Sequence, residues 1–215
     1  ESETEADYEM LCVPEIAEYA FFSTADKEWP TPMTWDQSWN HPDPTERENW
    51  RTASRKEFRD MLKRGVWHHV KRRDVPNNKR CIGNKWEFKE KKNGGYRSRR
   101  TELGYSQIPG VDYTDSYAPV MKDVTMRIMV TIWAKCALDS EIMDVEKAFL
   151  YADLDEEIYM EVPKGYDDAG YEVGGNEVFL LVKACYGLVQ AARQWWKTII
   201  DMLRYKLNFQ ICLAD

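Results

Sequence analysis

The chain has 215 residues, of which 43% are hydrophobic and 13% aromatic, with nine tryptophans. That is enough apolar material for one large core or two modest ones, and it excludes a disordered polymer. No long uncharged apolar stretch occurs, which excludes a hydrophobic membrane span and leaves no membrane partner expected.

The net charge of −7 hides a division along the chain. Residues 1–28 hold nine acids against one base, a net of −8, whereas residues 51–104 hold eighteen bases against six acids, a net of +12. A polyanion responds to local potential within about 10 Å at 0.1 M salt, so the basic block, not the total, decides whether phosphates bind. The five cysteines are odd in number and widely spaced, with no Cys-x-x-C pair, which predicts reduced thiols and an intracellular protein, cytoplasmic or nuclear. The acidic opening is neither a secretory signal nor a basic transit peptide, so targeting is expected to come from elsewhere.

Residues 1–44 are acidic, rich in Pro, Ser and Thr and without sustained period, and predict an irregular lead-in that Trp29, Trp35 and Trp39 can pin to the body. Residues 45–215 form the main domain. A helix capped by Thr45 is expected to bury Trp50, Ala53, Phe58, Met61 and Leu62 and to end at Gly65. Two strands, 85–91 and 96–101, flank Asn93-Gly94-Gly95, whose residues suit the positive φ of a tight hairpin. In the first, Lys85, Glu87, Lys89 and Lys91 alternate with Trp86 and Phe88, giving one charged face and one aromatic face.

A second helix over 125–137 is expected to turn Ile128, Met129, Ile132, Trp133 and Cys136 inward. Residues 141–145 read as a strand with Asp144 at its end, and 178–182 as a buried strand. A last helix over 190–206 carries Trp195, Trp196, Ile199, Met202 and Tyr205 at core spacing rather than as a base-stacking platform. His68 and His69 point to opposite sides of a strand, show no carboxylate partner at useful spacing and receive no site. Helices and strands mix without βαβ alternation or internal repeat, which predicts an α+β fold of mixed helices and antiparallel strands.

Phosphoryl transfer requires divalent ions held by carboxylates on rigid elements. Asp144 suits such a place, with the Val145 carbonyl as a further hard ligand for Mg²⁺. One aspartate by itself is more often a surface carboxylate.

The surrounding pattern is more informative. Eight blocks occur in one order: Trp50 with Ala53 and Glu57; Gly65-Val66-Trp67; Lys85-Trp86-Glu87-Phe88-Lys89; Gly104-Tyr105-Ser106-Gln107 with Pro109-Gly110-Val111-Asp112-Tyr113; Tyr117-Ala118-Pro119-Val120; Asp144-Val145-Glu146-Lys147-Ala148-Phe149-Leu150; Leu154-Asp155-Glu156-Glu157-Ile158-Tyr159-Met160 with Pro163 and Gly165; and Tyr186-Gly187-Leu188 with Gln190-Ala191 and Arg193. Together they resemble the copia-type retrotransposon reverse transcriptases.

The resemblance implies a right-hand polymerase with the basic hairpin in the fingers and Asp144 in a partial palm. It implies RNA-directed DNA synthesis by two-metal nucleotidyl transfer with Mg²⁺, an RNA template, a DNA primer and dNTPs. Asp144 becomes the catalytic aspartate and, with Val145, a metal ligand. Lys89, Lys91 and Arg99 would lie near the triphosphate, and Phe149 beneath the incoming sugar, where its ring excludes a 2′-hydroxyl. Tyr186, Gly187 and Gln190 would lie near the template or nucleotide. A solvated hairpin, an ordinary core phenylalanine and a simple helix start are the plainer readings of these same residues.

The pattern also departs from the family. Arg100-Thr101-Glu102 replaces an apolar Leu-Val-Ala stretch, and Val189 and Ala192 replace Lys and Pro. The family's Tyr-x-Asp-Asp hairpin is not among these residues. The expectation is therefore an incomplete portion of a Pol polyprotein, inactive alone, with integrase upstream and the remaining palm and RNase H downstream. A non-catalytic nucleic-acid-binding remnant and a decayed gene product are the alternative readings.

Overall fold

The computed structural model describes residues 29–210. The chain divides between Thr31 and Pro32, and every element below belongs to the second unit, Pro32–Asp215. A short helix α1 (Trp35–Trp39) lies within the stretch expected to be irregular. Thr34 caps it reciprocally, accepting from the Gln37 amide at 3.3 Å while its own amide donates to the Gln37 side chain at 3.2 Å. Trp35 is buried, stacks on Trp39 at 4.8 Å and donates its indole N–H to Asp168 at 2.9 Å. Gly165 meets its ring so closely that an added Cβ would lie 2.0 Å from it.

Helix α2 (Pro44–Lys63) starts two residues earlier than the sequence suggests. Asp43, not Thr45, is the cap: its carboxylate accepts from the Glu46 amide at 2.7 Å, and Pro44 fits the first turn, where no amide partner is needed. Trp50, Phe58 and Met61 are buried on its inner face, whereas Ala53 and Leu62 are partly buried. Gly65, at φ +59, takes the chain out of the helix.

Strands β1 (Trp67–Lys71), β2 (Cys81–Ile82), β5 (Asp153–Met160) and β6 (Glu177–Lys183) form a sheet in the order β1-β6-β5-β2. β6 runs antiparallel to both neighbours, but β2 pairs with β5 in parallel, so the sheet is not antiparallel throughout. Strands β3 (Asn84–Glu90) and β4 (Tyr96–Glu102) form a separate hairpin in which Glu87 faces Arg99 and Trp86 faces Arg100. The molecule is thus a mixture of helices and strands, as expected.

The hairpin also shows where the unexpected charges go. Arg100 and Glu102 point with Trp86 and Ser98 to the buried side, where both side chains are fully buried and paired at 2.5 Å. The Arg100 guanidinium lies 4.8 Å from the Trp67 ring. Burial dominates the Glu102 carboxyl and raises its pKa in spite of Arg100. It also pushes the nearby Cys185 thiol far up, with Glu102 adding to the effect.

Three expectations fail around residues 120–146. Helix α3 (Asp123–Lys135) forms, but no residue of it is buried; Ile128, Met129, Ile132 and Trp133 are all exposed, as is Cys136 after it. Residues 141–145 form no strand, because no strand among the described residues lies beside them to pair their amides and carbonyls. Asp144 therefore lies in irregular, exposed chain.

Helix α4 (Ala191–Asp201) continues through a π turn, Met202–Lys206. Trp195, Trp196 and Ile199 are partly buried, but Met202 and Tyr205 are exposed and leave the core. His69 is also better partnered than its local sequence suggests. Its ring nitrogens lie 3.0 Å from Glu177 and 3.3 Å from the Tyr166 hydroxyl. Among the described residues, Cys81, Cys136 and Cys185 are free thiols, and no helix is long and apolar enough to cross a membrane.

Candidate functional site

A cleft of about 500 Å³ opens between hairpin β3–β4, helix α2 and the turn that follows Asp144. Lys91, Arg99, Asp144, Val145, Phe149 and Tyr186 all line it. Six of the nine residues singled out in the sequence are thereby brought to one place.

The two walls differ in charge. On the hairpin side, Arg99 lays its guanidinium over the Tyr186 ring, 3.9 Å from its centre, and Tyr186 in turn meets Phe149 edge-on at 5.4 Å. A cation held over an aromatic face loses little of its charge but much of its freedom. Lys91 and Arg97 extend this positive wall. Asp144 and Glu146, with Lys147, line the cleft from the turn.

The floor is built from the core outward. Leu150 is buried and Ala152 wholly so, and the Ala184 amide donates to the Ala152 carbonyl at 2.8 Å, which ties the turn Ala148–Tyr151 to β6. Phe149 packs partly against the same core. A ring fixed in this way presents one face to the cleft without any strand at Asp144.

The other three residues lie elsewhere. Lys89 is exposed on the charged face of β3, opposite Arg97, and does not line the cleft. Gly187 serves a close approach: at φ +92, an added Cβ would lie 2.1 Å from the Glu102 carbonyl oxygen. The adjacent Tyr186 carbonyl accepts from the Glu102 amide at 2.8 Å, so this turn is clamped to the end of the hairpin.

Gln190 is fully buried. It accepts from Gln107 at 3.0 Å and donates to the Asp112 carbonyl at 3.0 Å, while Gln107 receives the Val189 amide at 2.8 Å. The Gly-Tyr-Ser-Gln and Gln-Ala motifs thus meet in one polar knot that fixes the start of α4. Their eighty-three-residue separation gave no local sign of it.

Glu57, Asp60 and Lys147 were not singled out as site residues. Lys147 donates to Glu57 at 2.6 Å and to Asp60 at 2.7 Å beside the cleft. Burial alone would lower the Lys147 pKa, but the two carboxylates outweigh it and raise it. Burial would likewise raise Asp60, yet the Lys147 hydrogen bond and charge, with Arg64 and Lys56, bring it below its ordinary value.

Mg²⁺ takes hard oxygen ligands in octahedral array, commonly one or two carboxylates with substrate phosphates and water. The Asp144 carboxylate and Val145 carbonyl are donors of that kind, on two residues that line the cleft. Among the described residues no group of three or more histidine, cysteine or carboxylate side chains is placed to hold a metal ion. The chemistry of these donors fits one edge of a magnesium site and no more.

The chain is α+β, and an aromatic-backed cationic hairpin and an exposed aspartate line one cleft. The family model described as "Reverse transcriptase (RNA-dependent DNA polymerase)" matches residues 65–214, and the chain belongs to that family. It is 38% identical over 149 residues to the Retrovirus-related Pol polyprotein from transposon TNT 1-94 of Nicotiana tabacum, a match covering 67% of this chain and 11% of that protein.

It is 32% identical over 166 residues to the Retrovirus-related Pol polyprotein from transposon RE1 of Arabidopsis thaliana, covering 75% of this chain and 11% of that protein. The Transposon Ty1-ER2 Gag-Pol polyprotein of Saccharomyces cerevisiae is 30% identical over 169 residues, covering 74% and 9% respectively. These relatives make it a copia-type reverse transcriptase sequence. It spans about a tenth of the length of the curated relatives it matches. No solved structure matches it.

Proposed function

We propose that the cleft receives a deoxynucleoside triphosphate during RNA-templated extension of a DNA primer. The observation that carries this reading is the meeting of Lys91, Arg99, Asp144, Val145, Phe149 and Tyr186 around one space, with Lys91, Arg97 and Arg99 coming from the hairpin and Asp144 and Glu146, beside Lys147, from the turn. In this reading hairpin β3–β4 and α2 belong to the fingers of a right-hand polymerase, and the turn after Asp144 belongs to its palm.

Arg99, immobilised on Tyr186, and Lys91 would take the triphosphate oxygens, where fixed positive charge favours the charge that develops during transfer. Lys89, exposed nearby on the hairpin, would meet template or primer phosphates. Phe149 would lie under the sugar and reject a 2′-hydroxyl by contact. Gly187 and Gln190 would act by holding the Tyr186 turn in register. Asp144 and the Val145 carbonyl would be two ligands of Mg²⁺ in a two-metal site; bound there, the ion supplies neutralisation of the transferring phosphoryl group.

The remaining carboxylates would come from further palm sequence in the same polyprotein, with integrase before this region and RNase H after it. The exposed apolar face of α3 supports that arrangement, since Ile128, Met129, Ile132 and Trp133 form a surface of the kind a palm neighbour buries.

Primer extension tests the reading. The chain as it stands, given Mg²⁺, a primed RNA template and dNTPs, should extend no primer. A longer polypeptide carrying the family's Tyr-x-Asp-Asp hairpin should extend it, and Asp144→Ala should abolish that synthesis. Extension by the longer polypeptide that survives Asp144→Ala would refute the proposal.

A further inference from the structure

Helix α2 is bonded to both walls of the cleft. Toward the hairpin, Ser54 donates to Ser98 at 3.0 Å in a buried contact, and the Tyr96 hydroxyl donates to Glu46 at 2.6 Å. Trp50 meets Tyr96 and Phe88 edge-on at 4.7 and 5.6 Å. Toward the turn after Asp144, the shielded tie is Lys147, whose ammonium is forked between Glu57 and Asp60 at 2.6 and 2.7 Å; at the exposed helix end, Arg64 also reaches the Tyr151 hydroxyl at 3.5 Å. Those two acids are three apart on the helix and therefore share a face.

Lys147 has a backbone to match this role. Its φ of 55 lies in the left-handed region, which a residue with a side chain adopts only when its surroundings hold it there. Asp144 lies three residues before it and Phe149 two after. The preceding chain has no such hold, since residues 141–145 pair with no described strand and Ile142 and Met143 are exposed. The fork itself is shielded, with side-chain exposures of 14% for Lys147, 6% for Glu57 and 21% for Asp60.

We infer that Lys147 is a positioning residue whose ammonium, clipped to Glu57 and Asp60, fixes the turn carrying Asp144 and Phe149 against the helix that also holds the cationic hairpin. The distance between the two walls is then set by one helix. The effect on nucleotide affinity rests on the proposed function, but the clip does not.

Hydrogen exchange on the free chain, followed amide by amide, tests the clip. Loss of a shielded charge-assisted hydrogen bond corresponds to about tenfold, so Lys147→Met should speed exchange across residues 145–150 by about that factor and leave β5 and β6 unchanged. Glu57→Gln with Asp60→Asn, which leaves Lys147 in place, should reproduce the effect, and Lys147→Arg should restore protection. If Lys147→Met does not fold, Asp60→Asn alone decides, with a smaller increase over the same residues.

Unchanged exchange in these variants, or loosening by Lys147→Met that the helix variants do not reproduce, overturns the inference. A parallel titration with dTTP and Mg²⁺ should show affinity falling about tenfold in Lys147→Met. Absence of binding by the unaltered chain would count against the proposed function, and the exchange result would still judge the clip.

Discussion

The two walls of the cleft contrast in how they are supported. The hairpin wall rests on α2 through a buried hydrogen bond and edge-on rings, with even its Arg100–Glu102 pair enclosed. The other side leads into residues 120–146, where a helix and an irregular segment show apolar side chains to solvent. Both regions carry equally plain hydrophobic patterning in the sequence. Patterning shows which face seeks cover; it does not show what supplies the cover.

The largest expected effect breaks the enclosed side. Arg100→Met alone leaves Glu102 buried without its partner and should cost about 3–5 kcal/mol in urea unfolding, whereas Arg100→Met with Glu102→Leu should recover most of that loss. Equal destabilisation by the single and double variants would mean that the pair is not coupled.

An intermediate effect concerns acid. Asp60 has its pKa below the ordinary 3.8 when folded, so the stability it contributes is present above 3.8 and is lost as pH falls through the lower, folded value. In acid titration followed by circular dichroism, the unaltered chain should lose stability over that range more steeply than Asp60→Asn. Coincident curves would detach Asp60 from folding.

The smallest effect belongs to the exposed side. Ile132→Ser on α3 should change the stability of this chain by no more than about 0.5 kcal/mol, because the side chain is already exposed. A loss of several kcal/mol would show that the face is covered in solution.

These contrasts follow what was legible in the sequence. Helix α2 and hairpin β3–β4 rest on local signals: a cap, three-and-four spacing, Asn-Gly-Gly between alternating strands. Even there, Asp43 displaced Thr45 as the cap because Pro44 is suited to the first helical position. The second helix was legible as a helix but not as an exposed one. The strand at 141–145 was not realised because strands need neighbours, and periodicity carries no information about a neighbour.

The cleft was legible through its ordered motifs, which brought six of nine residues together. What escaped were contacts between distant residues: Lys147 with Glu57, ninety residues apart, and His69 with Glu177, one hundred and eight apart. Gln190 and Gly187 belong to the same class, since their motif is visible but their packing against Gln107 and Glu102 is a product of the fold.

The central claim is that the cleft between Arg99 and Asp144 takes a nucleoside triphosphate. Calorimetric titration of the chain with dTTP and Mg²⁺, beside Arg99→Ala, tests it most directly. Saturable binding that weakens about tenfold or more in Arg99→Ala is the predicted result, as expected for loss of a charge-assisted contact to phosphate. Binding of equal strength in both proteins, or none in the unaltered chain, would contradict it.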